Sequence, residues 1–236
     1  MLKFKHALPL LTAAAMACAT TAHAADPLLD ASTYASLEGT TSAVVNGVSF
    51  TAGGGSFGTK YTNGWGGLGV TGGSASNEID IGQSITMSFA AQLVSNFSIA
   101  LLYNGPEFGD YRETAQVQAY NGDVLLGTYL LQVGLDGSSP GADWSGSGSV
   151  DNLSPATNSG GGAWLVSGNP FGNVDVTSLV FSSLTSYSCQ TTAGCNNQSD
   201  YVLTSVNAVP EPSTYALMAA GLGAMGFIAR RRRQKV

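Results

Sequence analysis

Ser84-Ile85-Thr86-Met87-Ser88-Phe89 alternates polar and apolar residues with period two, the pattern of a strand with one buried face. The next segment continues it, with Phe97, Ile99, Leu101 and Tyr103 on one side. Asn121-Gly122 separates the strand-like runs 115–120 and 123–133, and that dipeptide between two such runs predicts a hairpin. Asn46-Gly47, Asn63-Gly64 and Asn104-Gly105 mark further turns, and later strands are predicted over 163–167, 174–182 and 201–206. No amphipathic helix stands out, apart from a short N-terminal turn of helix over 27–36. Short strands punctuated by turn signals predict an all-β chain, an antiparallel β-sandwich or jelly roll.

Glycine complicates this pattern, because 51–58, 64–73 and 134–162 are rich enough in Gly and Ser to suggest disorder. Phe57, Tyr61, Trp65, Trp144 and Trp164 interrupt those stretches, however, and disordered linkers are poor in aromatic residues. They are therefore expected to be long ordered Gly-rich loops between strands.

Both ends read as export signals. Lys3 and Lys5 precede a mostly apolar stretch, and Ala22-His23-Ala24 is a small-x-small site for signal peptidase, giving a signal peptide over 1–24. At the other end, Pro210-Glu211-Pro212 cannot continue a helix or a central strand. The 17 residues from Ser213 to Ala229 lie at the bottom of the roughly 17–25 needed to cross a bilayer as a helix. Arg230, Arg231, Arg232 and Arg233 then resist translocation and act as a cytoplasmic stop. Motif, short hydrophobic helix and basic stop, in that order, resemble the PEP-CTERM sorting signal of Gram-negative bacteria. The resemblance implies recognition of Pro210, Glu211 and Pro212 by exosortase, a membrane-embedded cysteine protease-transpeptidase. It also implies transient anchoring in the inner membrane through 215–229. It gives an address, over 210–236, and no activity.

Between the signals, 25–209 suits one secreted domain. It carries two basic residues, Lys60 and Arg112, against fourteen acidic ones, a formal charge of −12. Nucleic acid is excluded as a partner, since no basic surface exists to displace counterions from phosphates. His6 and His23 both lie in the signal peptide. The domain therefore has no histidine for Ser-His-Asp or Cys-His hydrolysis or for His-ligated zinc. Cys189 and Cys195, six apart in a polar segment, are expected to form a disulfide in an oxidising compartment.

Candidate chemistry is left to carboxylates and aromatic rings. Glu78-Ile79-Asp80 puts two carboxylates on one side of an extended segment, either a solvated strand edge whose charges discourage pairing or part of a calcium site. Its order behind a Gly-rich run resembles uncharacterised proteins with the same sorting tail, which implies no activity. The segment 104–113 holds Glu107, Asp110 and Glu113: a surface loop first, calcium ligands second, and a glycosidase pair of Glu107 and Glu113 third. Trp65 and Trp144 are candidates for stacking on sugar rings, against the commoner role of a plug that pins a loop to the core.

The expected function is non-catalytic. An exported precursor is anchored in the inner membrane and then passes to the cell surface or extracellular matrix, in association with exopolysaccharide and biofilm. The alternatives are a carbohydrate-binding module, with calcium assisting or with no cofactor, and a carboxylate-dependent glycan-active enzyme.

Overall fold

A computed structural model describes residues 27–103, 113–134, 141–154, 162–185 and 199–209, with 221–223, 225, 226 and 230 in the tail. Strand accounts for 56% and helix for 8%, in two antiparallel sheets that do not close into a barrel. The predicted all-β sandwich is therefore the fold.

Helix α1 (Ala31–Leu37) precedes thirteen strands: β1 (Ser42–Val45), β2 (Val48–Gly53), β3 (Phe57–Thr62), β4 (Trp65–Val70), β5 (Ser84–Gln92), β6 (Val94–Ala100), β7 (Thr114–Asn121), β8 (Val124–Val133), β9 (Ala142–Trp144), β10 (Ser149–Asn152), β11 (Trp164–Ser167), β12 (Val176–Leu184) and β13 (Val202–Ala208). One sheet has the order β1-β2-β5-β12-β7-β8-β9, the other β10-β11-β6-β13-β4-β3. Alternation sends Phe50, Ile85, Met87, Val117, Leu131, Leu179 and Phe181 inward from the first sheet, to meet Phe57, Leu68, Phe97, Ile99, Val166, Leu203 and Val206 from the second. Along one side, α1 packs against β1, β3 and β4 and buries Tyr34 and Leu37.

The turn residues act as expected, with one shift. Asn46 (φ 50) and Gly47 (φ 80) close β1–β2, and Asn63 (φ 54) and Gly64 (φ 84) close β3–β4, the two positive φ values that a type I′ hairpin demands. In the third hairpin Asn121 is still paired, with Val124, so the turn is Gly122-Asp123, with Gly122 (φ 57) at the first central position. The β6 alternation also stops short of expectation. Leu101 adopts φ 67 and joins Ala100, Ala163 and Val202 in a satellite cluster under Trp65 and Tyr103.

The first two Gly-rich stretches are mainly strand: the end of β2 and the start of β3 fall in 51–58 and β4 in 64–73, while β9 and β10 occupy part of the third. β4, Trp-Gly-Gly-Leu-Gly-Val, needs its glycines because other backbone lies against it. A Cβ on Gly67 would meet the main chain of Leu203, and one on Gly69 the main chain of Asn77 and Glu78. The third-stretch strands are held by Trp144, whose ring packs edge-on to Phe97 at 5.2 Å and stacks on Tyr129 at 5.5 Å.

β13 organises the second sheet. On one side it pairs with β6 for its full length. On the other it meets three segments in turn: Ile79 opposite Tyr201, Leu68 opposite Leu203, and Leu29 opposite Val206. That last pair sets the start of the domain beside its end. We call the end of the sandwich where Leu29, Val206 and Val209 lie the terminal pole. Most links there are short: 46–47, 63–64, residue 93, 122–123 and 145–148, with 168–175 the longest. The strand ends at the opposite pole are joined by 54–56 and 71–83, and by 101–113, 134–141, 153–163 and 185–201, which lie partly outside the described residues.

Candidate functional site

The carboxylates singled out by sequence are built into the fold. Val70 N–H donates to the Glu78 carbonyl and Ile79 N–H to that of Tyr201, so 78–79 wedges between β4 and β13 where these strands part. Glu78 is 2% exposed and takes an ion pair from Lys60 at 2.6 Å, the one such pair among the described residues. Asp80, 4% exposed, accepts from the N–H groups of Ser74, Ala75 (3.2 Å) and Ile81 (2.7 Å), while Gln83 ties Asp80 N–H to the Thr71 carbonyl. The expectation of a solvated strand edge is therefore corrected. Both carboxylates are buried, because strand pairing returns Lys60 to Glu78 and a tight turn aims three N–H groups at Asp80.

Glu113 is also buried, accepting from Tyr103 N–H at 2.5 Å. Its suggested partner Glu107, with Asp110, lies outside the described residues, as do Cys189 and Cys195. Among the described residues no three Asp, Glu, His or Cys side chains form a group that can hold a metal. Both candidate tryptophans pack against the core. Trp144 donates its indole N–H to the Pro170 carbonyl at 3.2 Å amid Phe97, Tyr129 and Phe171. Trp65 is half-buried over the satellite cluster. Burial pushes the Tyr34 hydroxyl pKa up, and that hydroxyl donates to the carbonyls of Leu203 and Thr204.

What remains open is a surface that residue-by-residue reading passed over, the outer face of the seven-stranded sheet. Register places its side chains in rows across the strands. One row is Ser49, Ser88, Ser178 and Tyr120; the next is Thr51, Thr86, Val180, Gln118 and Thr128; a third is Ser84, Ser182, Gln116 and Leu130. All are exposed or half-exposed. Gln118 reaches Thr128 at 3.5 Å, Tyr120 donates to Gln118 at 3.4 Å and Ser88 to Ser178 at 3.4 Å, long contacts that leave most hydrogen-bonding capacity to solvent or a ligand. Among all seven strands the only Asp, Glu, Lys or Arg is Asp143, on the edge strand β9. A domain of formal charge −12 thus presents a broad face without charge. The period-two Ser-x-Thr-x-Ser pattern of β5 was the sequence signal for it.

The tail starts where the sandwich stops. Ala208 is the last residue of β13, and Val209 N–H still bonds to the Leu93 carbonyl at 2.8 Å. Pro210, Glu211, Pro212 and Arg231 to Arg233 lie outside the described residues. Residues 221–223, 225, 226 and 230 are helical and exposed, and among the described residues no helix is long and apolar enough to cross a membrane. The molecule is thus an antiparallel two-sheet sandwich with a tail fused to a central strand. Residues 208–233 match the family model of the PEP-CTERM protein-sorting motif. The chain carries that motif and is an exported protein, targeted to the cell surface through exosortase. No curated protein and no solved structure matches the chain.

Proposed function

We propose that this protein is a non-catalytic component of the cell surface or extracellular matrix. In this reading signal peptidase removes 1–24, the tail anchors the precursor transiently in the inner membrane, and exosortase releases the sandwich to associate with exopolysaccharide. The observation that carries the reading is the junction: the matched motif starts at residue 208, the last residue of a rigid central strand. Changing Pro210, Glu211 and Pro212 to alanine in a host that encodes exosortase should leave full-length protein in the membrane. Release of the altered protein in the same shortened form as the parent would overturn the sorting role.

The uncharged face favours a carbohydrate-binding role for the same protein. Hydroxyl and amide rows with few apolar side chains suit a neutral polyhydroxylated chain. An anionic chain is disfavoured by the acidic domain around them. Retardation in native gels containing a neutral polysaccharide measures this. Gln116→Glu with Gln118→Glu, both on the surface, should abolish retardation and leave the unfolding midpoint unchanged. Adding calcium decides whether the ion assists.

A further inference from the structure

We infer that the anchored precursor stands on the lipid surface by its terminal pole, with the opposite pole and its long links directed away. The inference rests on the membrane-anchored reading of the tail and adds an orientation and a contact surface to it.

Three observations converge. The Leu29–Val206 pair makes the two ends of the domain leave side by side, so the pole carrying the C-terminal anchor also carries the former signal-peptide junction. The chain between Val209 and the apolar run at Tyr215 is short. Six peptide steps span about 20 Å at full extension. β12, with nine residues, gives a strand height of about 30 Å. A domain fixed at one pole by a tether shorter than itself cannot stand on the membrane by its other pole. The tether alone would still let the sandwich lie on a face.

The distribution of exposed apolar side chains selects the pole. Val124 (65% exposed), Leu125, Val174 and Val209 lie there, and Val44 and Tyr61 stand two residues from its turns, against Ile81 and Leu153 at the opposite pole. The first four are contiguous through the fold: Gly122 N–H bonds Thr177 Oγ1, Val176 pairs with Gln92, and Val209 N–H bonds the carbonyl of Leu93. The outer face of the seven-stranded sheet, by contrast, is lined mainly by Ser, Thr and Gln, which gain nothing from an apolar layer. Asp123 and Asp175, both exposed, flank the four apolar residues. The contact is therefore at headgroup level, with zwitterionic rather than anionic lipid.

The test is hydrogen–deuterium exchange on the full-length chain in phosphatidylcholine nanodiscs. It is set against the same chain with ten Gly/Ser residues inserted between Val209 and Pro210. Reduced deuterium uptake over 121–125 and 168–175, lost on insertion, is the expected result. Equal uptake in the two chains overturns the inference, as does protection over 81–83 or 151–154 or across a sheet face. A chain that fails to co-float with vesicles overturns the anchored reading itself, which the exchange pattern alone would leave standing.

Discussion

At the terminal pole the strands are joined by links as short as one residue, their geometry fixed by Asn-Gly and Gly-Asp turns, and apolar side chains stand in solvent. At the opposite pole the links run to 71–83, 101–113 and 185–201, and Glu78, Asp80, Glu113 and Asp200 are all buried. The difference shows two ways of ending a sandwich. Where the turn is tight, hydroxyls and an indole suffice to hold the chain, as Thr177 holds Gly122 N–H, Ser145 holds Leu130 N–H and Trp144 holds the Pro170 carbonyl. Where the link is long, its backbone must be tied down, and carboxylates do this by accepting N–H groups, as Asp80 and Glu113 do. The buried acidic residues described at the opposite pole thus serve folding.

Removing the cation that faces a buried carboxylate is the strongest way to break this comparison. Lys60→Met leaves the Glu78 carboxylate buried without that ammonium, which should cost about 3 kcal/mol, the lower end for a buried pair because the Lys60 side chain is 35% exposed. The fall in urea midpoint measures it. Lys60→Met with Glu78→Leu should recover most of the loss, since replacing both partners removes the desolvation penalty. A single-variant loss below about 0.5 kcal/mol would make the pair a surface ornament and the poles alike.

Much of this architecture was legible. Period-two alternation gave β5, and Asn-Gly gave two turns, because both are local consequences of backbone geometry. The strands β3 and β4 were not, although the Asn63-Gly64 turn between them was, since the glycines of β4 answer to backbone packed against them from 77–79 and β13, partners distant in sequence. The same holds for the carboxylates: nothing near Glu78 announces that Lys60, eighteen residues upstream, will face it. The sorting motif was the most legible part, because its parts follow one another along the chain and depend on no partner distant in sequence. The uncharged face was visible only strand by strand, in the Ser-x-Thr-x-Ser pattern of β5 and in the charges the other strands lack. It became a surface once register aligned β2, β5, β12, β7 and β8.

A single methyl group sharpens the comparison from the terminal side. Gly122 sits at φ 57 with open space where a Cβ would go, so Gly122→Ala meets no atom and pays only for a left-handed backbone. That cost is about 1 kcal/mol. Gly122→Asn should recover part of it, since asparagine tolerates this region. Differential scanning calorimetry of the three chains tests the order Gly, Asn, Ala. If alanine matches glycine, the turn relaxes freely and the terminal pole is softer than its short links imply.

The smallest effect concerns the one carboxylate near the terminal pole that holds backbone as the opposite pole does. Asp30 caps α1, its Oδ1 accepting from Ser32 N–H at 2.9 Å and from the hydroxyls of Ser32 at 2.5 Å and Thr33 at 3.2 Å. The Ser32 hydroxyl chiefly holds its pKa below the ordinary 3.8, against partial desolvation. A carboxyl whose pKa falls on folding stabilises the native state fully above its unfolded value. That stabilisation is lost as pH falls through the folded value. Asp30→Asn keeps an N-capping oxygen of similar strength and does not titrate, whereas Asp30→Ala should cost about 1 kcal/mol at neutral pH. Urea midpoints should therefore match for the parent and the asparagine variant at pH 7. Below pH 4 the parent should lose stability relative to that variant and approach the alanine one. A constant gap between parent and asparagine chains from pH 7 to pH 2 would mean that the charge on Asp30 contributes nothing, leaving the opposite pole alone in using carboxylates to hold its chain.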